Sequence, residues 1–301
     1  MVAGQVFVLE GTEARHAVTV KRLAPGEPVD IVDGAGTRMS GRVLAASPAA
    51  LKVECTSLAV EERPAIRLVL VQALAKGDRD ELAIETATEL GIDAVIPWQS
   101  ERSIVRWKGD RAAKAHAKWQ SVVAAAAKQA RRAWVPEVRP AVDTAALAGL
   151  VEAAGLAIIL HEDAVRPLRT VLETWQGHDG TEPREVLLIV GPEGGISPRE
   201  VTRLCGNGAL TALLGHHVLR SSTAGPAAVV SPVRNGTLAP SSSARRICQR
   251  SFPPESVLRP VILTLPAATS EFSCGSMIQT GATMPLALVI SSPSWMWPKA
   301  T

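Results

Sequence analysis

Between Ile66 and Gly215 the chain switches repeatedly from short, wholly apolar runs to segments with helical period, and few folds can accommodate that alternation. IRLVLVQAL (66–74) reads as a buried strand, DELAIETATELG (80–91) as a helix closed by Gly91, and DAVIPW (93–98) as the next strand. A long Ala-rich helix is expected from about Arg111 to Trp134, ahead of Pro136. LAIILHE, VLLIVG and ALTALLG supply three more strands with helices between them. Continuous apolar strands joined by helices form a parallel sheet covered on its faces, an α/β fold. Open sheets of this kind bind ligands at the carboxyl ends of their strands, which points to the loops after Leu160, Val190 and Leu214.

The first sixty residues follow another rhythm. From Gln5 to about Val60, short apolar runs are broken by Pro25-Gly26, Asp33-Gly34 and Ser47-Pro48, the pattern of a small β-barrel or sandwich. The polar Glu61-Glu62-Arg63-Pro64 segment marks a boundary, so a first domain spans 1–63 and a second 64–230. The composition changes abruptly after Val230. The 71 residues from Ser231 to Thr301 hold 12 Ser and 9 Pro but only two acids, Glu255 and Glu271, and no amphipathic period survives. Pro226 is tolerable only in a first helical turn, and Ser231-Pro232 is expected to interrupt the helix begun near Thr223. Two readings of 231–301 stand open, a disordered extension or a change of reading frame near Pro226.

Charge and cysteine content narrow the function classes. A net charge of +3 permits nucleic-acid binding without requiring it. Cys55, Cys205, Cys248 and Cys274 form no CxxC pair and no zinc-like spacing with histidine, so free thiols and no metal are expected. The N-terminus reaches charge at Glu10, too early for a secretory signal, and the uncharged stretch 272–298 carries three prolines and is not read as a membrane span. A cytoplasmic protein is the expectation.

Three stretches could carry chemistry. In VGPEGGISPRE (190–200) a strand runs into Pro192, Glu193 and two glycines that expose backbone N–H groups, and Ser197-Pro198 makes a good helix start. The same residues would also serve a plain strand-to-helix turn, and the spacing is not that of a phosphate-binding loop. In LLGHHVLRSSTAG (213–225), Val218-Leu219 offers an apolar wall, and Arg220 precedes three hydroxyl residues at a helix start, a place where a polar planar group could be oriented. His216-His217 lacks further ligands and reads as loop filler. Lys128, Arg131 and Arg132, near the end of the long helix, join Lys76, Arg79 and Arg102 as candidate phosphate contacts, against the plain alternative of solvated charge.

Taken together, HAVTVKRLAPGE, VQALAKGDRDELAIETATELG, SERSIVRW, AAKQARRAWVPEV, LHED, LIVGPEGGISPREV and VLRSSTAG, in this order, resemble the RsmE family. These are SPOUT-class methyltransferases that modify N3 of a uridine in 16S ribosomal RNA. The likeness runs from about Arg15 to Ala224. It implies an N-terminal PUA-like RNA-binding barrel, an α/β domain with a C-terminal trefoil knot, a homodimer, S-adenosyl-L-methionine as cofactor, and 16S rRNA or the small ribosomal subunit as partner. It also implies cofactor contacts from Leu160 and His161, from Gly191, Pro192, Glu193, Gly194 and Gly195, and from Leu214, Gly215, Val218 and Leu219. Arg220 is then the candidate catalytic group, since it stays protonated and can stabilise charge developing on the uracil ring. Glu193 and His161 are weaker candidates for a base. A SPOUT enzyme with another RNA target, and an RNA-binding protein inactivated by its altered C-terminus, are the competing readings. A Rossmann-type nucleotide binder is disfavoured, because no glycine-rich turn follows the first strand.

Overall fold

A computed structural model describes residues 3–175, 184–231 and, for the backbone alone, 261–264. In chain order the elements begin with β1 (Val6–Glu10), α1 (Gly11–Arg15, continued by a π-helical turn over His16–Val20), β2 (Pro28–Val32), β3 (Thr37–Ala46) and β4 (Ala50–Val60). Then follow β5 (Ile66–Ala73), α2 (Arg79–Leu90), β6 (Ala94–Gln99), α3 (Asp110–Gln129), β7 (Glu137–Val138), β8 (Val142–Asp143), α4 (Thr144–Ala153) and β9 (Leu156–Leu160). The remainder is α5 (Leu168–Thr174), β10 (Arg184–Val190), α6 (Pro198–Gly206), β11 (Leu210–Ala212), α7 (Ser221–Val230) and β12 (Val261–Thr264). The described residues cluster into two compact units, one of 3–63 with 127–135 and 261–264, the other of 64–126 with 136–175 and 184–231.

In the first unit the strand order is β1-β4-β3-β2-β12, antiparallel except for the parallel β2/β12 pair. The pairings among described residues run as an open path, so the expected barrel is seen here as a five-stranded sheet. Phe7, Leu9, Ile31, Val43, Leu51 and Val53 fill one core beneath it, with Ala14 and Ala17 from α1 and the turn after it. The β3/β4 register slips beside Gly41, where an added Cβ would lie 2.4 Å from the Val53 side chain and 2.6 Å from the Glu54 carbonyl oxygen. Only glycine lets the backbones approach that closely. Trp134 also belongs to this unit, donating from its indole N–H to the Glu61 carbonyl at 2.8 Å beneath the Arg63 guanidinium.

The second unit is a parallel sheet in the order β11-β9-β10-β5-β6-β7, with β8 also paired to β6. Its central strands are buried on both faces, as their unbroken apolar runs require. β7 and β8 were not expected, being too short to leave a pattern. α3 ends at Gln129, five residues before the expected limit at Trp134. Its end is a Schellman motif: Arg131 N–H donates to the Lys128 carbonyl and Arg132 N–H to that of Ala127, with Arg131 at φ 56°. α2 closes identically around Gly91 at φ 104°. A glycine announces this cap in a sequence and an arginine conceals it.

α7 carries Pro226 in its second turn, past the first turn to which a proline was expected to be confined, and ends before Ser231-Pro232. The helix continues through that proline to Val230 and packs against α2 and β5, burying Gly225, Pro226, Ala228 and Val229. Burial of that face outweighs the roughly 3 kcal/mol that an interior proline costs. Apart from the β12 backbone, the expectation for 231–301 concerns residues outside the described ones.

Candidate functional site

Strand register decides which loops can meet. Leu160 pairs with Ala212, Ile189 with Ile159, Val190 with Gln72 and Ala73 with Trp98, so the loops after β11, β9, β10, β5 and β6 leave one edge of the sheet side by side. This edge collects the residues 160–161, 191–195 and 214–220, as well as Lys76, Arg79 and Arg102. Lys128, Arg131 and Arg132 cluster with the first unit instead, and Lys128 is paired there with Glu13 at 2.9 Å.

The loops after β9 and β11 are laced by backbone bonds. His161 N–H donates to the Ala212 carbonyl at 3.1 Å, Leu213 N–H to that of Arg166 at 2.9 Å, and Leu168 N–H to that of Leu213 at 2.8 Å. Leu160 and Leu214 are half-buried, whereas Gly215, Val218, Leu219 and Arg220 are exposed. An added Cβ at Gly215 would meet nothing within 4 Å. Arg220 is the N-cap of α7, and its carbonyl accepts from Thr223 and Ala224. Its guanidinium therefore faces outward at a helix start, where it can answer charge on a ligand.

The loop after β10 makes a tight turn in which Gly195 N–H donates to the Pro192 carbonyl at 2.9 Å. Gly195, at φ 71°, is the glycine this turn demands. Gly194 is not held in that region, and a Cβ there would sit 3.4 Å from the Arg102 side chain, an ordinary contact. Gly191 is confined differently, since a Cβ on it would lie 2.6 Å from the buried Ile196 side chain.

Two expected phosphate contacts are committed to this loop. Arg79 forms an ion pair with Glu193 at 3.0 Å, and Arg102 donates to the Gly194 carbonyl at 3.0 Å. The Lys76 backbone N–H also reaches Glu193, at 3.3 Å, leaving the Lys76 ammonium exposed. Glu193 is thus engaged by the Arg79 guanidinium and the Lys76 amide. His161 accepts the Asp163 N–H through Nδ1 at 3.2 Å.

Asp80, at the start of α2, is buried, and burial raises its pKa to about 6. Backbone N–H groups of Glu81 and Ala75 partly offset that rise. The folded protein therefore carries the ionised form less readily than the unfolded chain. The associated stability is complete below about pH 4 and is lost as pH rises through about 6, amounting to at most about 3 kcal/mol. Asp80→Asn is expected to stabilise the protein at neutral pH relative to acid pH, read from urea unfolding midpoints on either side of this window. An equal effect at both pH values would contradict this account.

Sequence reading missed the carboxylates that secure the loop from behind. Ser197 caps α6 in a capping box with Glu200, and Glu200 is also bonded to the Glu101 backbone and to Thr144. The Ser-x-x-Glu spacing at 197–200 could have revealed the box. Nothing in the sequence marks Glu101 or Thr144, which arrive from separate elements.

Among the described residues no three His, Cys, Asp or Glu side chains are grouped to hold a metal, and no helix is long and apolar enough to cross a membrane.

Comparison with known proteins agrees with this architecture. Residues 61–231 match the model of an RNA methyltransferase domain and residues 9–54 that of an RNA methyltransferase PUA domain. The chain is 39% identical over 232 residues to ribosomal RNA small subunit methyltransferase E of Mycobacterium bovis, covering 75% of this chain and 85% of that protein. The protein of the same name from Bacillus subtilis is 29% identical over 226 residues, covering 72% and 86%. The structure of ribosomal RNA small subunit methyltransferase E from Neisseria gonorrhoeae bound to S-adenosyl methionine is similar at TM-score 0.64 and 27% identity, covering 79% of this chain and 94% of that one. With a PUA-like first unit, a parallel sheet whose loops gather at its carboxyl edge, and these relatives, the chain belongs to the ribosomal RNA small subunit methyltransferase E family.

Proposed function

We propose that this chain transfers a methyl group from S-adenosyl-L-methionine to N3 of a uridine in 16S ribosomal RNA, acting in the cytoplasm as a homodimer. The observation that carries this reading is the alignment of the 160–161, 191–195 and 213–220 loops on neighbouring parallel strands. The residues fit the cofactor: open backbone at Gly195 and Gly215 admits a ligand closely, and Leu160, Leu214, Val218 and Leu219 offer apolar cover to an adenine. A trefoil knot is supported by the path of α7. β11 lies at the sheet edge, yet α7 packs on β5, so the chain returns past β9 and β10.

When bound, the sulfonium supplies an electrophilic methyl group. The chain's own work is to hold the uracil in line with it and to stabilise charge on the ring once N3 has lost its proton. Arg220 is assigned the second task and Lys76, exposed at the same edge, an RNA phosphate. Arg79 and Arg102 are reassigned to support of the Glu193-Gly194 turn.

Gly194→Val tests the assignment of the cofactor loop, because a Cβ at 194 already touches the Arg102 side chain at 3.4 Å and the branched methyls of valine would crowd the Arg102 contact that holds the turn. Calorimetry with S-adenosylmethionine is expected to show affinity reduced roughly tenfold or more, about 1.4 kcal/mol, with RNA binding retained. Unchanged affinity in the folded variant would remove this loop from the site.

A further inference from the structure

Residues 193–195 of the short turn are exposed, so something behind it must set its position. Glu200 does this from a site only 1% accessible to solvent. Its Oε1 accepts the Glu101 backbone N–H at 2.8 Å and the Thr144 hydroxyl at 2.7 Å, while Oε2 accepts the Ser197 N–H at 3.1 Å. The Ser197 hydroxyl then donates to Glu101 Oε2 at 2.6 Å, and Thr144 Oγ1 accepts from the Trp98 indole at 3.2 Å. The partners of the buried carboxylate are thus three neutral donors, two of them at the first residue of α4 and the N-cap of α6, where helix ends favour negative charge.

The bonds join segments that the sequence keeps far apart: the loop after β6, the start of α4, and the junction of the cofactor loop with α6. From the first of these, Arg102 reaches forward to the Gly194 carbonyl at 3.0 Å. We propose that Glu200 is a positioning residue for methyl transfer, fixing through Glu101 and Thr144 the 191–197 loop against the 100–103 loop so that the glycine backbone meets the cofactor in one geometry. This rests on the assignment of 191–195 to the cofactor.

The charge and reach of a carboxylate are both required. Glutamine at 200 would turn one acceptor into an NH2 group facing a donor, leaving the loop without one of its ties. Thr144→Val removes only the hydroxyl, at nearly constant volume and on a helix outside the loop. Thr144→Ser restores the hydroxyl and serves as the rescue.

The test is calorimetry of S-adenosylmethionine binding to the full-length protein, with thermal unfolding of each variant measured in parallel. Glu200→Gln is expected to weaken the cofactor about tenfold and Thr144→Val about threefold, with Thr144→Ser close to the parent protein. RNA affinity should hold in all three, so the KM for the cofactor rises while that for RNA does not. Should Glu200→Gln fail to fold, the Thr144 pair decides the matter. Variants that melt earlier yet bind cofactor as tightly as the parent would overturn the proposal and leave the network a structural brace. Gly194→Val separates the two failures. If it too keeps its affinity, the cofactor assignment is at fault; if it alone loses affinity, the positioning role is.

Discussion

Arg220→Ala should lower kcat by about 100- to 1000-fold, the loss usual when one preorganised donor to a developing anion is removed. The expectation follows from where the side chain stands. Its backbone caps α7 through the Thr223 and Ala224 amides, a role that alanine retains, while its guanidinium is exposed at the edge that collects the cofactor loops. The variant should therefore fold, and its affinity for S-adenosylmethionine should stay within a few-fold of the parent. Arg220→Lys keeps the charge but loses the planar fork, so its rate should fall between the two. Single-turnover methylation of a 16S RNA fragment at saturating cofactor is the measurement. A rate unchanged in Arg220→Ala would assign the stabilisation to another group.

A second large effect is expected at Gly225, on stability. A Cβ there would lie 2.8 and 3.1 Å from the two terminal methyl carbons of Leu70, which is wholly buried in β5. These atoms end a flexible side chain, but the core around Leu70 leaves it little room to yield. Gly225→Val should cost roughly 1–3 kcal/mol or more, from a total near 5–15 for a domain. The helix that would be pushed away begins at Arg220, so cofactor affinity and rate should fall with stability. Leu70→Ala opens the space the new side chain needs, and the double variant should recover part of the loss. Denaturant unfolding of both single variants and the double variant measures this coupling. Strict additivity would show that α7 and β5 do not meet here as described.

Much of this arrangement was legible in the residues. Apolar runs too continuous for a half-exposed strand, separated by helical segments, require a parallel sheet, and such a sheet directs its ligand to the strand ends. Gly91 gave the end of α2 and Ser197-Pro198 the start of α6, because a left-handed cap and a capped first turn each depend on a single residue type. Where a local signal was absent or ambiguous, the reading failed. Arg131 ends α3 in the conformation normally left to glycine, and Pro226 lies inside a helix that it would ordinarily interrupt.

The sequence by itself determined the central strands of the parallel sheet, the helices between them and the loops that carry Gly194 and Arg220, since each depends on patterns spanning a few residues. Tertiary structure alone decided what those loops touch. Strand order brings the loop after β6 within reach of the loop after β10 across the end of β5, which sets Arg102 against the Gly194 carbonyl and Arg79 against Glu193. The same order unites Glu101, Thr144 and Glu200, residues up to 99 positions apart. Burial beneath α2, α7 and the sheet is a property of the packed layers, and neither the raised pKa of Asp80 nor the tolerance of Pro226 could be read before those layers were assembled.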